Sequence, residues 1–123
     1  MKNRCLCLLA MIVLTGLIII SSCDLNDNKP PYAPGSPVVA RVAGDTLMYD
    51  LSWSCGDPDS DPLMYNIHFG ITNSPPLITS QPANRFRTSS LLFGTTYYWK
   101  IDALDNNHNQ TSSPIWQFTT PTE

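Results

Sequence analysis

Three aspartates alternate at Asp57, Asp59 and Asp61, and a fourth heads the run Asp105-Asn106-Asn107-His108. Alternating carboxylates offer oxygens to a hard cation such as calcium, which takes about 6–8 of them. Pro62, however, stands where an EF-hand loop needs glycine, and no glutamate closes the loop at its twelfth position. The plain expectation for Asp57, Asp59 and Asp61 is therefore an acidic Asp-Pro turn between strands. Calcium is the weaker alternative, and no other metal or cofactor is expected. Nucleophilic catalysis needs a Ser, Cys or Thr beside a base that is itself oriented. Downstream of Cys23 the histidines are His68 and His108, with no Gly-x-Ser-x-Gly elbow and no Gly-rich phosphate loop. His68 falls on the polar side of an alternating segment and reads as solvated. Cys55 falls on an apolar side and reads as a small hydrophobe rather than a reactive thiol. An enzyme is not expected.

A different chemistry is written at the N-terminus. Lys2 and Arg4 precede an apolar run of 16 residues, 5–20, and small residues follow at Ser21 and Ser22 before Cys23. A positive start, an apolar middle and a small-residue exit make a secretory signal. The run is shorter than the ~20 residues a membrane-spanning helix wants. Ile20-Ser21-Ser22-Cys23 resembles the lipobox of bacterial lipoproteins, an aliphatic residue and two small ones before a cysteine. The resemblance implies cleavage before Cys23, a diacylglycerol thioether on its sulfur and acylation of its new amine. Residues 1–22 are then a signal peptide, and the lipid at Cys23 is the expected covalent group. Removing Lys2 and Arg4 from seven basic residues leaves five against ten acidic ones, a net charge of −5. That balance argues against nucleic acid as a partner.

Residues 23–36 hold the cysteine and a polar segment rich in proline, expected to be a tether that reaches at most roughly 45–50 Å. From there on, period-two alternation dominates. Leu47, Tyr49, Leu51, Trp53 and Cys55 share one face of 46–55, and Leu63, Tyr65, Ile67 and Phe69 share one face of 63–70. Tyr97, Trp99, Ile101 and Ala103 share one face of 95–103, and a short strand follows at 115–119 with Trp116 and Phe118. Turn formers separate these runs at 56–62, 72–76 and 105–109. Alternation with one polar face is the signature of antiparallel sheets buried on one side. The expected fold is an all-β, immunoglobulin-like sandwich of about seven strands over 37–120. Its expected core is Leu51, Trp53, Tyr65, Ile67, Tyr97, Trp99, Ile101, Trp116 and Phe118.

Residues 31–120 resemble a fibronectin type III domain of a bacterial subgroup. Leu51-Ser52-Trp53 resembles that fold's second strand. Leu91-Leu92-Phe93-Gly94-Thr95-Thr96-Tyr97 resembles its Leu-x-Pro-Gly-Thr-x-Tyr run, with Phe93 in place of proline. Trp53-Ser54-Cys55-Gly56-Asp57-Pro58-Asp59, Tyr97-Tyr98-Trp99-Lys100 and 114–120 carry the likeness to the subgroup. The resemblance implies that Tyr97 forms a tyrosine corner, its hydroxyl bonding upstream backbone. It also implies that the loop after the second strand meets the loop before the last. Asp57, Asp59 and Asp61 would then gather with Asp105, Asn106, Asn107 and His108 as possible binding loops, at the same end as the N-terminus. The expected function is a lipid-anchored envelope module that binds protein or polysaccharide or spaces other components. The alternative is an accessory or docking subunit of an envelope enzyme or glycan-utilisation complex. The outer membrane or cell surface is the expected location, and Asp24 beside the cysteine also fits inner-membrane retention.

Overall fold

The computed structural model describes residues 27–44 and 46–123; the segment expected to be a signal peptide, Cys23 and Asp24 lie outside the described residues. Eight strands follow in order: β1 (Gly35–Arg41), β2 (Tyr49–Ser54), β3 (Met64–Gly70), β4 (Leu77–Gln81), β5 (Arg85–Arg87), β6 (Thr96–Leu104), β7 (Gln110–Ser112) and β8 (Trp116–Thr119). All pairings are antiparallel. One sheet runs β1-β2-β5; the other runs β4-β3-β6-β7, with β8 also on β6. The all-β sandwich expected from the alternation is the observed architecture.

Eight strands stand where about seven were expected because the last one is broken. β7 pairs the Leu104 end of β6 and β8 pairs the Thr96 end, on the same side. Pro114 lies in the gap and has no N–H to offer a ladder. Ser113 keeps the two pieces in line: its N–H donates to the Ile101 carbonyl at 2.8 Å, and its hydroxyl accepts from the Ile101 N–H at 2.9 Å. At an edge of the other sheet, the register of β1 slips between Gly35 and Val38, where Ser36 sits at φ 50° beside Pro37. A bulge with a proline is how an edge strand avoids pairing with strangers.

The core lies between the sheets. Leu51, Trp53, Tyr65, Ile67, Tyr97, Trp99 and Ile101 are all buried, while Trp116 and Phe118 are half-buried and pack against them. Trp99 is fully enclosed, with the Trp116 ring 4.6 Å and the Trp53 ring 6.4 Å from it, centroid to centroid. Trp53 meets Tyr65 edge-on at 5.3 Å, an arrangement the ring quadrupole favours. The tyrosine corner is present: the Leu92 N–H donates to the Tyr97 hydroxyl at 3.0 Å. Gly94 in that corner has φ +57°, a conformation L side chains resist, and an added Cβ would press the Thr122 methyl at 3.2 Å. Phe93 therefore takes the proline's place without displacing the turn that matters.

Candidate functional site: the paired aspartate loops

β2 and β3 are joined at one end of the sandwich by the loop carrying Asp57, Asp59 and Asp61. β6 and β7 are joined at the same end by the loop carrying Asp105. The two loops are built alike. Asp57 Oδ1 accepts the backbone N–H of Asp59 (2.8 Å) and Asp61 (3.1 Å), while the Asp57 carbonyl accepts the Ser60 N–H. Asp105 Oδ1 accepts the N–H of Asn107 and Asn109, both at 2.9 Å, while its carbonyl accepts the His108 N–H. Ser60 (φ 57°) and His108 (φ 66°) hold the same left-handed corner in the two turns. In each, one aspartate oxygen stands in for the hydrogen bonds that the turning backbone loses.

The second carboxylate oxygens differ. Asp105 Oδ2 accepts amide hydrogens from Asn109 (3.0 Å) and Asn28 (2.7 Å). Asp57 Oδ2 is buried without a hydrogen-bond partner. Asp57, Asp59 and Asp61 each bring one side-chain oxygen within 4.8 Å of the others. Asp57 is engaged in its own turn, and Asp59 accepts the Lys29 N–H through Oδ2 at 2.7 Å. The cluster thus does what an Asp-Pro turn does. Asn106, Asn107 and His108 are exposed at the tip of the second loop.

What joins the loops is the segment expected to be a free tether. Asn28 holds Asp105, Lys29 holds Asp59, and the Tyr32 N–H donates to the Gly56 carbonyl at 3.0 Å. Pro31 and Pro34 are buried, and the Cys55 thiol donates to the Tyr32 carbonyl at 3.2 Å. Residues 28–34 are therefore part of the domain, in place of the tether expected through residue 36. Burial pushes the Cys55 thiol up from its ordinary range, which suits a packed hydrophobe and not a nucleophile.

His68 departs from its expected role as well. It lies on the outer face of its sheet, yet its side chain is only 17% exposed and Nε2 is 2.8 Å from Asp102 Oδ2. Asp102 also accepts from Ser112 Oγ at 2.6 Å and faces Lys100 Nζ at 3.4 Å. The pairing was invisible in one strand's alternation, because it depends on the register that sets β3 beside β6. The order of groups excludes a nucleophilic relay. Ser112 donates to the carboxylate itself, whereas activation would need the imidazole between them.

These carboxylates give the domain an acid limit. Burial disfavours the charge on Asp102, but hydrogen bonds from Ser112 and His68 and the Lys100 charge outweigh it, so its carboxyl stays below the usual range. Asp105 is held down likewise, with burial outweighed by hydrogen bonds from Asn109, Asn28 and Asn107. Groups whose folded pKa is depressed contribute stability above their unfolded values, and lose it as pH falls through the folded ones. The melting temperature should therefore fall as pH drops below about 4, where unfolded aspartates begin to protonate. Circular-dichroism melts check this, and Asp102→Asn should flatten that slope. A melting temperature unchanged down to about pH 2 would show that these bonds stabilise nothing.

No family model and no curated protein matches this chain. Solved structures do match it. The sixth fibronectin type III domain of human fibronectin type III domain containing protein 3 superposes with a TM-score of 0.62 at 21% identity, covering 77% of this chain and 90% of that one. A further type III domain of the same human protein gives 0.61 at 24%, with the same coverage. Part of pectate lyase PelI from Erwinia chrysanthemi matches at 0.54 and 16% identity, across 72% of this chain but 28% of the lyase. With two facing antiparallel sheets, the tyrosine corner and these superpositions, the described chain is a single domain with the fibronectin type III fold.

Proposed function

We propose that this protein is a non-enzymatic, lipid-anchored module of the cell envelope that binds protein or polysaccharide or spaces other components. The observation that carries the reading is the sequence Ile20-Ser21-Ser22-Cys23 a few residues ahead of a fibronectin type III-like sandwich that starts at once. Such a layout suits a domain whose place is fixed by lipid and whose surface does the work. The side chains with acid–base or nucleophilic potential support it too. Cys55 is packed, and Ser112, His68 and Asp102 stand in an order that serves packing.

A second reading, docking or accessory subunit of an envelope glycan enzyme, draws on two superpositions. One is the pectate lyase, solved in complex with tetragalacturonic acid. The other is a β-1,2-glucanase from Parabacteroides distasonis, matched at a TM-score of 0.51 and 20% identity over 80% of this chain and 14% of that one. Both are large proteins in which such a sandwich is a minor part.

Crosslinking in intact cells followed by affinity capture from membranes, alongside a glycan array, tests and separates the readings. Saturable binding to a glycan or a non-catalytic envelope protein supports the first. Capture of a glycan-cleaving enzyme supports the second. Hydrolytic turnover by the purified chain alone would overturn both.

A further inference from the structure

The sandwich has two unlike ends. The paired aspartate loops and residues 28–34 form one; the register places the β3–β4 turn at 71–76, the tyrosine corner and the C-terminal residues at the other. Asn28 and Lys29 are fastened at the tip of the first end, one to each loop. Cys23 is five residues from Asn28, a reach of at most about 18 Å even in a fully extended chain. A free 14-residue tether would allow roughly 45–50 Å, enough to let either end turn toward the lipid. β6 alone, at nine residues, is about 30 Å long, so the far end sits well beyond the short leash.

Taking Cys23 as the lipid-bearing residue, as proposed above, we infer that the aspartate-loop end faces the bilayer surface, pinned there by Asn28 and Lys29, while the tyrosine-corner end is held out toward the aqueous phase. The surface chemistry agrees. The near end exposes Asp59, Ser60, Asn106, Asn107 and His108, groups that belong among hydrated headgroups rather than in acyl chains. Tyr32, 61% exposed beside them, is the large ring at that end, and its amphipathic character suits an interface. Leu92, Phe93 and Ile71, the apolar side chains exposed at the far end, are kept clear of lipid and left available to a partner.

The test uses the mature chain with Cys55→Ser, anchored in phosphatidylcholine vesicles containing a nitroxide-headgroup lipid. Fluorophores are placed singly through Ser60→Cys, Asn107→Cys, Asn73→Cys or Phe93→Cys. Quenching should be severalfold stronger at 60 and 107 than at 73 and 93. Inserting about twelve Gly-Ser residues between Asp27 and Asn28 should erase the difference, because the leash and not direct lipid affinity sets the orientation. Equal quenching at both ends, a reversed order, or a difference that survives the insertion would each overturn the inference. Ligating an N-terminal Cys23 to a thioester lipid, a reaction that needs the neighbouring amine and so spares the internal thiol, runs the same test without cellular acylation. Failure of the orientation is thereby separated from failure of the lipid assignment, which acyl analysis of the cell-derived protein decides.

Discussion

Trp53→Ala is expected to destabilise the domain by about 3–5 kcal/mol, the cost of emptying a large aromatic site in a packed core. Trp53 is 2% exposed, meets Tyr65 edge-on and lies against Trp99, so its removal empties a site within the packed aromatic core. Cys55 is the only cysteine among the described residues, so no disulfide links those residues to one another if the core loosens. Against a total of about 5–15 kcal/mol for a small domain, the loss is large enough to leave a substantial unfolded fraction near body temperature. Trp53→Phe should cost markedly less. It keeps a ring in the site and removes an indole N–H that is buried without a partner. Urea unfolding followed by circular dichroism measures both variants. An alanine variant that melts within a few degrees of the parent would show that the two sheets do not close on Trp53.

Cys23→Ser is expected to abolish palmitate labelling and move the protein from the membrane fraction to the soluble one. The effect should be close to all-or-none, for a physical reason. One acyl chain gives only marginal, reversible attachment, whereas two or more hold a protein stably, and the proposed anchor places all of them on this residue. The rest of the mature chain offers little to replace them. With Lys2 and Arg4 removed, as the proposed cleavage requires, it carries five basic residues against ten acidic ones, and the aspartate-loop end carries Asp57, Asp59, Asp61 and Asp105. An anionic bilayer would repel such a surface rather than retain it. Serine preserves the size of the site but has no thiol to form the thioether. Retained labelling would place the lipid on another residue.

Much of the fold was legible because the long strands obey a simple period. In β2, β3 and β6, alternate residues from Tyr49 to Trp53, Tyr65 to Phe69 and Tyr97 to Ala103 turn to the core, as alternation requires. β4, β5 and β7 are not legible in this way. Gln110–Ser112 and Arg85–Arg87 are three-residue pieces whose pairing is set by neighbours rather than by a pattern. β5 is held by charge instead: Arg87 grips both oxygens of Asp50 on β2, at 2.8 and 3.0 Å, and Arg85 joins it. Asp50 is buried on a face where alternation alone would leave an aspartate in solvent.

The candidate site divides along the same line. The nearness of the two aspartate loops follows from the fold, and resemblance to that fold was readable in Trp53, Gly94 and Tyr97. The role of 28–34 was not. Asn28 reaches Asp105 across 77 positions and Lys29 reaches Asp59 across 30, and no local period records contacts of that kind. The same holds for His68 and Asp102, which are 34 positions apart and meet only through the β3–β6 register. Composition marks 23–36 as a tether, whereas hydrogen bonds make 28–34 a wall of the site.

The central claim is that Cys23 begins the mature protein and bears its lipid. Intact-mass and N-terminal peptide mass spectrometry of the protein purified from membranes tests it most directly. The account predicts an N-terminal peptide starting at Cys23, heavier than its sequence by a diacylglycerol group and carrying any further acyl chain on the amine. An unmodified peptide containing Cys23 with residues 1–22 still attached, or one cleaved elsewhere and free of lipid, would contradict it.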